Sequence, residues 1–180
     1  LYTSGTTGRP KGVPRRHRVE RAAAVAHVAQ NRYATGERTL GVMPLYHTMG
    51  VRSLLAMALI DGCFVCQSRF EPGAALALIA RERLTNLFLV PTLYHDLLVH
   101  PDFAASDISS VRKLGFAGMA MTDGLLGRMA EAFRPELFVN HYGSSEIYTF
   151  TIDDDDNTKL RINLSQKAQG VVGLFVQLEK

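Results

Sequence analysis

Several common features are scarce or missing in this chain of 180 residues. It has two cysteines and no tryptophan, and its formal net charge is only +3. Two cysteines cannot build a disulfide framework, so we expect a reducing compartment and a cytoplasmic protein. The longest apolar runs, such as residues 54–60, fall far short of the roughly 18 residues that suggest a membrane span, so we expect none. The small net charge gives no reason to expect a nucleic-acid partner.

The remaining composition is that of a globular domain, with 47% hydrophobic and 21% charged residues. Strand-like runs alternate with helix-like runs, and helices between strands predict parallel crossovers. The predicted fold class is α/β, a mostly parallel sheet with helices on both faces. We expect helices over residues 17–33, 49–60, 72–84, 92–99 and 123–133, the last capped by Thr122. We expect strands over residues 39–43, 63–67, 86–90, 113–117 and 137–141.

The regular alternation fades after about residue 151. We therefore expect an α/β portion over residues 1–152 and a poorly patterned tail over residues 153–180, the start of a following subdomain. The chain opens with Leu1 rather than methionine and runs straight into a glycine-rich stretch. We take it to be a portion of a longer protein.

The most informative stretch is residues 2–12, Tyr-Thr-Ser-Gly-Thr-Thr-Gly-Arg-Pro-Lys-Gly. Its glycines allow backbone N–H groups to point into one concavity, its hydroxyls add donors, and Lys11 adds a cation, which together suit a polyphosphate. A Walker A loop is excluded, because Pro10 and Pro14 flank the lysine and prevent a helix from beginning there. The alternative is an ordinary surface turn rich in serine, threonine and glycine.

Three further segments follow predicted strands, where ligands collect in open α/β sheets. Residues 44–50 place His47 at a strand-to-loop junction, and residues 116–121 are small enough for a ligand to approach the backbone. Residues 140–146, Asn-His-Tyr-Gly-Ser-Ser-Glu, put two hydroxyls ahead of Glu146, which suits Mg²⁺ held against a phosphate. Read alone, His47 is a histidine satisfied by backbone, residues 116–121 are core packing, and Glu146 is a solvated carboxylate.

Taken in order, these segments resemble the adenylate-forming superfamily, which includes acyl- and aryl-CoA ligases, luciferases and the adenylation domains of peptide synthetases. Residues 2–12 resemble its signature loop, which closes in Gly-x-Pro-Lys-Gly, and residues 140–146 resemble its Tyr-Gly-x-Thr-Glu motif. Residues 44–50 resemble a second core motif that lies between these two. The resemblance runs from residue 1 to about 152 and implies the central part of the large N-terminal domain of an AMP-binding enzyme.

The resemblance implies three catalytic residues, Lys11, His47 and Glu146. Glu146 would bind Mg²⁺, and His47 would border the acyl pocket and the path of the incoming thiol. The implied nucleotide-binding residues come from the three loops: Thr3, Ser4, Gly5, Thr6, Thr7, Gly8, Lys11, Gly118, Met119, Ala120, Asn140, Tyr142, Gly143, Ser144 and Ser145.

Within that set, Tyr142 would lie against the adenine and Asn140 would meet its amino group. Ser145 stands where the family usually has threonine, and it keeps the hydroxyl that contacts the α-phosphate.

The implied reaction is the activation of a carboxylic acid by ATP and Mg²⁺ to an acyl-adenylate, followed by thioester formation with coenzyme A. Residues 44–50 and 116–121 look most like acyl- and aryl-CoA ligases of the benzoate and chlorobenzoate type. One alternative is an amino-acid- or aryl-adenylating domain of a peptide synthetase. It is disfavoured because only Glu20 and Glu37 are acidic between Gly12 and Pro44, and neither lies in the expected aspartate motif.

A second alternative is a non-catalytic module that binds a nucleotide or an acid. The family's downstream Thr-Gly-Asp segment and its lysine-bearing C-terminal domain have no counterpart here, so we expect the isolated chain to be inactive. The particular acid, the acceptor thiol and the oligomeric state, a homodimer included, stay open.

Three other features suggest chemistry that we discount. Cys63 and Cys66 lie three apart on a predicted strand and face opposite sides, so they are apolar strand residues rather than a zinc or redox pair. The four aspartates at 153–156 mainly repel one another. The basic run at 15–21 lacks the interleaved aromatic residues typical of nucleic-acid binding.

Overall fold

A computed structural model describes residues 1–3 and 8–141, apart from the side chains of Thr3 and Lys11. Its strands are β1 (Tyr2–Thr3), β2 (Lys11–Gly12), β3 (Arg38–Gly41), β4 (Cys63–Cys66), β5 (Asn86–Leu89), β6 (Lys113–Phe116) and β7 (Leu137–Asn140). Its helices are α1 (His17–Gln30), α2 (Thr48–Leu59), α3 (Pro72–Glu82), α4 (Pro91–Val99) and α5 (Asp123–Phe133), and Phe103–Ala105 form a 3₁₀ turn. No helix in the described part of the chain combines the length and apolarity needed to cross a bilayer.

Five of the strands form one parallel sheet in the order β4-β3-β5-β6-β7. Strand β4 lies on one side of β3, and β5, β6 and β7 follow in order on the other side. The direction in which successive strands are added therefore reverses after β4. Because crossovers between parallel strands are right-handed, α2 lies on one face and α3, α4 and α5 lie on the other. Helix α1 packs on α2. The predicted α/β sheet with helices on both faces is therefore confirmed.

The core explains why the central strands are so apolar. All four residues of β5 are buried, as expected for a parallel strand covered on both faces. The larger hydrophobic cluster joins the sheet to α3, α4 and α5, and Tyr94, Leu87 and Leu114 lie at its centre. A smaller cluster around Met57 fills the space beneath α1 and α2.

The predicted elements are all present, but several end earlier than expected. Helix α1 ends at Gln30 rather than residue 33, because Arg32 takes a left-handed conformation with φ of 50°. Strand β3 ends at Gly41 rather than residue 43, and most other ends lie within two residues of the expected ones. The cap at Thr122 is confirmed, since its hydroxyl accepts a hydrogen bond from the Leu125 amide at 3.3 Å. The expected boundary at residue 152 lies outside the described residues.

A buried carboxylate joins the amino ends of three strands. Glu37, which is 4% exposed, precedes β3 and forms an ion pair with Lys113, the first residue of β6. Its other carboxylate oxygen accepts hydrogen bonds from the Thr85 hydroxyl and the Asn86 side-chain amide, each at 3.0 Å. The Lys113 ammonium also donates to the Arg32 carbonyl at 2.6 Å. Strands β3, β5 and β6 thus share one polar junction at this edge.

The junction makes the ionised form of Glu37 the stable one. Burial by itself would raise the pKa of this carboxyl. Hydrogen bonds from Lys113, the Ala34 amide and Asn86 outweigh burial, together with the Lys113 charge, and hold the pKa of Glu37 below its ordinary value. The folded state therefore binds fewer protons here than the unfolded chain does, so this carboxylate stabilises the fold above the unfolded pKa and stops doing so as the pH falls through the folded pKa.

We predict that Glu37→Gln lowers the free energy of unfolding at pH 7 by about 3 kcal/mol, because it leaves the buried Lys113 ammonium without its partner charge. The difference from the wild type should be complete above about pH 4.5 and should shrink in more acidic buffer. Urea unfolding across a pH series measures it. Glu82→Gln is the matched control, since Glu82 pairs with Arg38 and Arg81 nearer the surface and should cost much less. Equal losses for the two variants would contradict the prediction.

Candidate functional site

The loops that carry the sequence motifs leave the same edge of the sheet. In a parallel sheet all strands end at one edge, and here β3, β6 and β7 lead into residues 42–47, 117–121 and 141 onward. Strands β3 and β5 are neighbours, yet their following helices α2 and α4 lie on opposite faces. A crevice opens where neighbouring connections diverge in this way, and ligands bind there in open α/β sheets.

The glycine-rich stretch lies between two short strands that form a hairpin. Strands β1 and β2 pair antiparallel, with Tyr2 opposite Gly12 and Thr3 opposite Lys11, and the Val13 amide donates to the Leu1 carbonyl at 2.8 Å. Within the connection, Gly8 has a φ of +81°, a conformation that favours glycine. The residues expected to bind phosphate at 4–7 lie outside the described part of the chain, as do the side chains of Thr3 and Lys11.

The hairpin is attached to the loop after β3. The Tyr2 amide donates to the Tyr46 carbonyl at 3.4 Å, one residue before His47. His47 is exposed and forms the N-cap position of α2, with its amide bonded to the Pro44 carbonyl at 2.9 Å in a tight turn. The first two motifs of the sequence are therefore neighbours in the fold.

A glycine permits that turn to lie against the helix that follows it. A Cβ atom at Gly50 would come within 2.3 Å of the Pro44 carbonyl oxygen and 2.4 Å of the Met43 carbonyl oxygen. Both of these atoms belong to the backbone, so they cannot swing aside as a side chain would. Gly50 was not among the predicted site residues, although it ends the second motif.

The loop after β6 also presents its backbone. Gly118 has a φ of +91°, and a Cβ there would lie 3.2 Å from the Val90 side chain, which follows β5. Gly118, Met119 and Ala120 are exposed, with Met119 at 53%. Asn140, also exposed, pairs with Phe116 at the ends of β6 and β7. These predicted site residues therefore lie at one edge, with polar and backbone groups open to a ligand.

His141 begins the chain after β7 and is held at two points. Its amide donates to the Phe116 carbonyl at 2.8 Å, and its Nε2 lies 3.1 Å from Oδ1 of Asn31, the residue after α1. The Asn31 side chain continues to His27, one helical turn earlier. Residues 142–146, which include the expected Tyr142, Gly143, Ser144, Ser145 and Glu146, lie outside the described residues.

Both histidines of this cluster favour the neutral form. Burial, the neighbouring His141 and the charge of Arg52 hold the pKa of His27 well below its ordinary value. Burial and Arg52 likewise lower the pKa of His141 to about 4. Sequence reasoning missed this cluster, because its only local signal is a pair of polar residues four apart on the buried side of α1.

The other features noted in the sequence are the two cysteines and the charged runs at residues 15–21 and 153–156. Cys63 and Cys66 are free thiols on β4, half-buried and exposed respectively. Within residues 1–3 and 8–141, no three His, Cys, Asp or Glu side chains gather closely enough to hold a metal ion. Near the start of α1, Arg15 pairs with Glu20. The aspartates at 153–156 lie outside the described residues, as does the expected magnesium ligand Glu146.

The chain is similar to known proteins in both sequence and fold. A family model described as AMP-binding enzyme matches residues 1–174. The 4-chlorobenzoate–CoA ligase of Pseudomonas sp. (strain CBS-3) is 40% identical over 149 residues, which cover 81% of this chain and 28% of that protein. The chain therefore spans less than a third of the length of this curated relative.

Two solved structures with the same fold were determined with a bound small molecule. The inhibitor-bound N-terminal domain of FACL13 from Mycobacterium tuberculosis gives a TM-score of 0.74 at 26% identity, over 82% of this chain and 36% of that one. ATP-bound MatB from Rhodopseudomonas palustris gives a TM-score of 0.72 at 26% identity, over 84% of this chain and 30% of that one.

We predict that Gly50→Ala lowers the free energy of unfolding by about 2 kcal/mol, because its methyl group must push the turn at Pro44 away from α2. Gly127→Ala is the matched control: it lies in α5 with no neighbouring atom in reach of a Cβ, and helix propensity should make it neutral or slightly stabilising. Urea unfolding of the two variants beside the wild type measures both effects. A Gly50→Ala variant as stable as Gly127→Ala would show that the turn does not press on the helix.

Proposed function

The chain belongs to the AMP-binding enzyme family, and from that premise we propose that it is the nucleotide- and acid-binding portion of an acid–thiol ligase. The whole protein would activate a carboxylic acid with ATP and then form a thioester with coenzyme A. The observation that carries this proposal is the attachment of the glycine-rich hairpin to the His47 loop through Tyr2 and Tyr46. That bond holds Tyr2, just before the stretch expected to bind phosphate, beside the loop expected to border the acyl pocket.

In the first step, a carboxylate oxygen attacks the α-phosphorus of ATP, and the bond from that phosphorus to the bridging oxygen of pyrophosphate breaks. The reacting groups are all anionic, so catalysis must come from positioning and charge neutralisation. Lys11 would supply a cation beside the phosphates, and the hydroxyls and amides of residues 3–8 would supply donors. Glu146 offers the hard oxygen ligand that Mg²⁺ prefers, and the ion would neutralise phosphate charge.

In the second step, the thiol sulfur attacks the carbonyl carbon of the acyl-adenylate, AMP leaves with the bonding electron pair, and the thiol proton passes to solvent. His47 is exposed at the start of α2, beside the ring of Tyr46 at 5.9 Å between centroids. That position suits a residue that borders the acyl group and the path of the thiol. The open backbone at Gly118 and the exposed side chain of Asn140 would line the adenylate side of the same edge.

Benzoates are the first substrates to test, because a 4-chlorobenzoate–CoA ligase is 40% identical over the matched region. We expect the full-length protein to release pyrophosphate from ATP when a benzoate is added, and to form a thioester when coenzyme A is also present. Fatty acids and amino acids complete the panel. Release dependent on an amino acid would favour the peptide-synthetase alternative, and ATP binding without release would favour the non-catalytic module.

We predict that Lys11→Ala slows acid-dependent pyrophosphate release about a hundredfold, because one preorganised charge contact to a reacting phosphate contributes on that scale. Arg9→Ala is the matched control, since it removes one positive charge from the same hairpin two residues away and should leave the rate nearly unchanged. Initial rates at saturating acid with varied ATP measure both variants. Equal effects would mean that the hairpin contributes only its overall charge, against the role proposed for Lys11.

The same proposal also predicts magnesium dependence, coenzyme A as the acceptor, a homodimer and a cytoplasmic location. Chelation with EDTA before the pyrophosphate assay tests the first of these. Comparing coenzyme A with a carrier-protein thiol as acceptor tests the second, and thioester formation on the carrier protein alone would contradict it.

A further inference from the structure

A buried chain of three polar side chains links the end of α1 to the end of β7. The Asn31 side-chain amide donates from Nδ2 to the His27 carbonyl at 2.8 Å, and the same nitrogen lies 3.1 Å from His27 Nδ1. On its other side, Asn31 Oδ1 lies 3.1 Å from His141 Nε2. His27 and Asn31 are each 1% exposed, so water does not compete for these bonds.

These hydrogen bonds determine which atom donates and which accepts in each of the three side chains. Only the amide nitrogen of Asn31 can donate to the His27 carbonyl, so Oδ1 must face His141. His141 Nε2 therefore carries a hydrogen and donates it to Asn31. His27 Nδ1 accepts from the second hydrogen of the amide, which requires a neutral ring with its proton on Nε2.

Residues of the sheet pack closely around the side chains of His27, Asn31 and His141. The Phe88 ring of β5 lies 4.7 Å from the His27 ring and 4.9 Å from the His141 ring, measured between centroids. A Cβ at Gly115 of β6 would lie 3.4 Å from both Asn31 Oδ1 and His141 Cδ2. The Phe88 ring therefore restrains both imidazoles, and the lack of a side chain at Gly115 leaves room for Asn31 and His141 beside β6.

From this geometry we infer that Asn31 is a positioning residue for the nucleotide loop that follows β7. His141 is the last described residue before residues 142–146, and it is held through its backbone by Phe116 and through its ring by Asn31. Both bonds together hold His141 against the ends of β6 and α1. The inference rests on the proposed function, because residues 142–146 are the ones expected to meet the adenine, the α-phosphate and Mg²⁺.

The test is a double-mutant cycle read as the dissociation constant of MgATP, measured by titration calorimetry on the full-length protein. His141→Leu removes one end of the bond between the two residues, and Asn31→Leu removes the other end together with the contacts of Asn31 to His27. We expect each to weaken MgATP binding roughly tenfold, the effect of losing one buried hydrogen bond. The double variant should bind about as weakly as either single variant, because the second change has nothing left to break.

Two further variants separate positioning from stability. His141→Gln can place an amide N–H where Nε2 now lies, and it should restore most of the affinity. Tyr94→Phe removes a buried hydroxyl that bonds the Leu87 and Gly115 carbonyls at 2.9 and 2.8 Å, so it should lower the melting temperature without changing MgATP affinity. Single-variant effects that multiply in the double variant, or an equal loss in Tyr94→Phe, would overturn the inference.

A measurement on the unaltered protein covers the case in which the leucine variants do not fold. With ¹⁵N-labelled histidine, the NMR signals of His141 should show a neutral ring protonated on Nε2, and those of His27 should show the same tautomer. Protonation of His141 on Nδ1 would overturn the inference. Failure of the proposed function is distinct: the wild type would then bind no MgATP, whereas failure of the inference alone leaves wild-type binding intact.

Discussion

The carboxylate of Glu37 joins the amino ends of β3, β5 and β6, and the opposite edge of the sheet depends on that junction. In a parallel sheet, strands aligned at one end stay aligned at the other, because these strands are only four residues long and the pairs β5–β6 and β6–β7 are matched along their whole length. Fixing Asn86 opposite Lys113 therefore also brings Leu89 level with Phe116. The loops at the carboxyl edge can then be exposed, glycine-containing and polar, since the alignment of the sheet does not depend on their own packing.

The carboxyl-edge loops are held instead by a few directed hydrogen bonds. The Tyr2 amide ties the glycine-rich hairpin to the loop before α2, and the bond to Phe116 ties the chain after β7 to the end of β6. These are backbone hydrogen bonds, which constrain position without adding apolar surface. The site proposed here would admit a triphosphate and a carboxylic acid, and a tightly packed core would leave no room for either ligand.

The order of helices and strands could be predicted because their periodicity is local, but the element ends depended on residues that carry no clear stop signal. Helix α3 ends at Glu82 rather than residue 84, and the residue that caps it, Arg83, takes the left-handed conformation more usual for glycine. The two-residue strands β1 and β2 are too short to show a period. For the site, the motifs identified the loops, whereas the partner of His141 lies 110 residues earlier and only the fold brings Asn31 beside it.

Neutral side chains are well suited to hold a loop beside a phosphate. An imidazole–amide–imidazole chain supplies directed hydrogen bonds without adding a net charge of its own. Arg52 and Tyr33 face His27, and burial together with Arg52 keeps the pKa of His141 near 4. His141 donates from Nε2 whether or not its ring is protonated, but His27 accepts at Nδ1 only when neutral. Because His27 is the more deeply buried ring, the member of the chain that must stay neutral is also the one that burial protects from protonation.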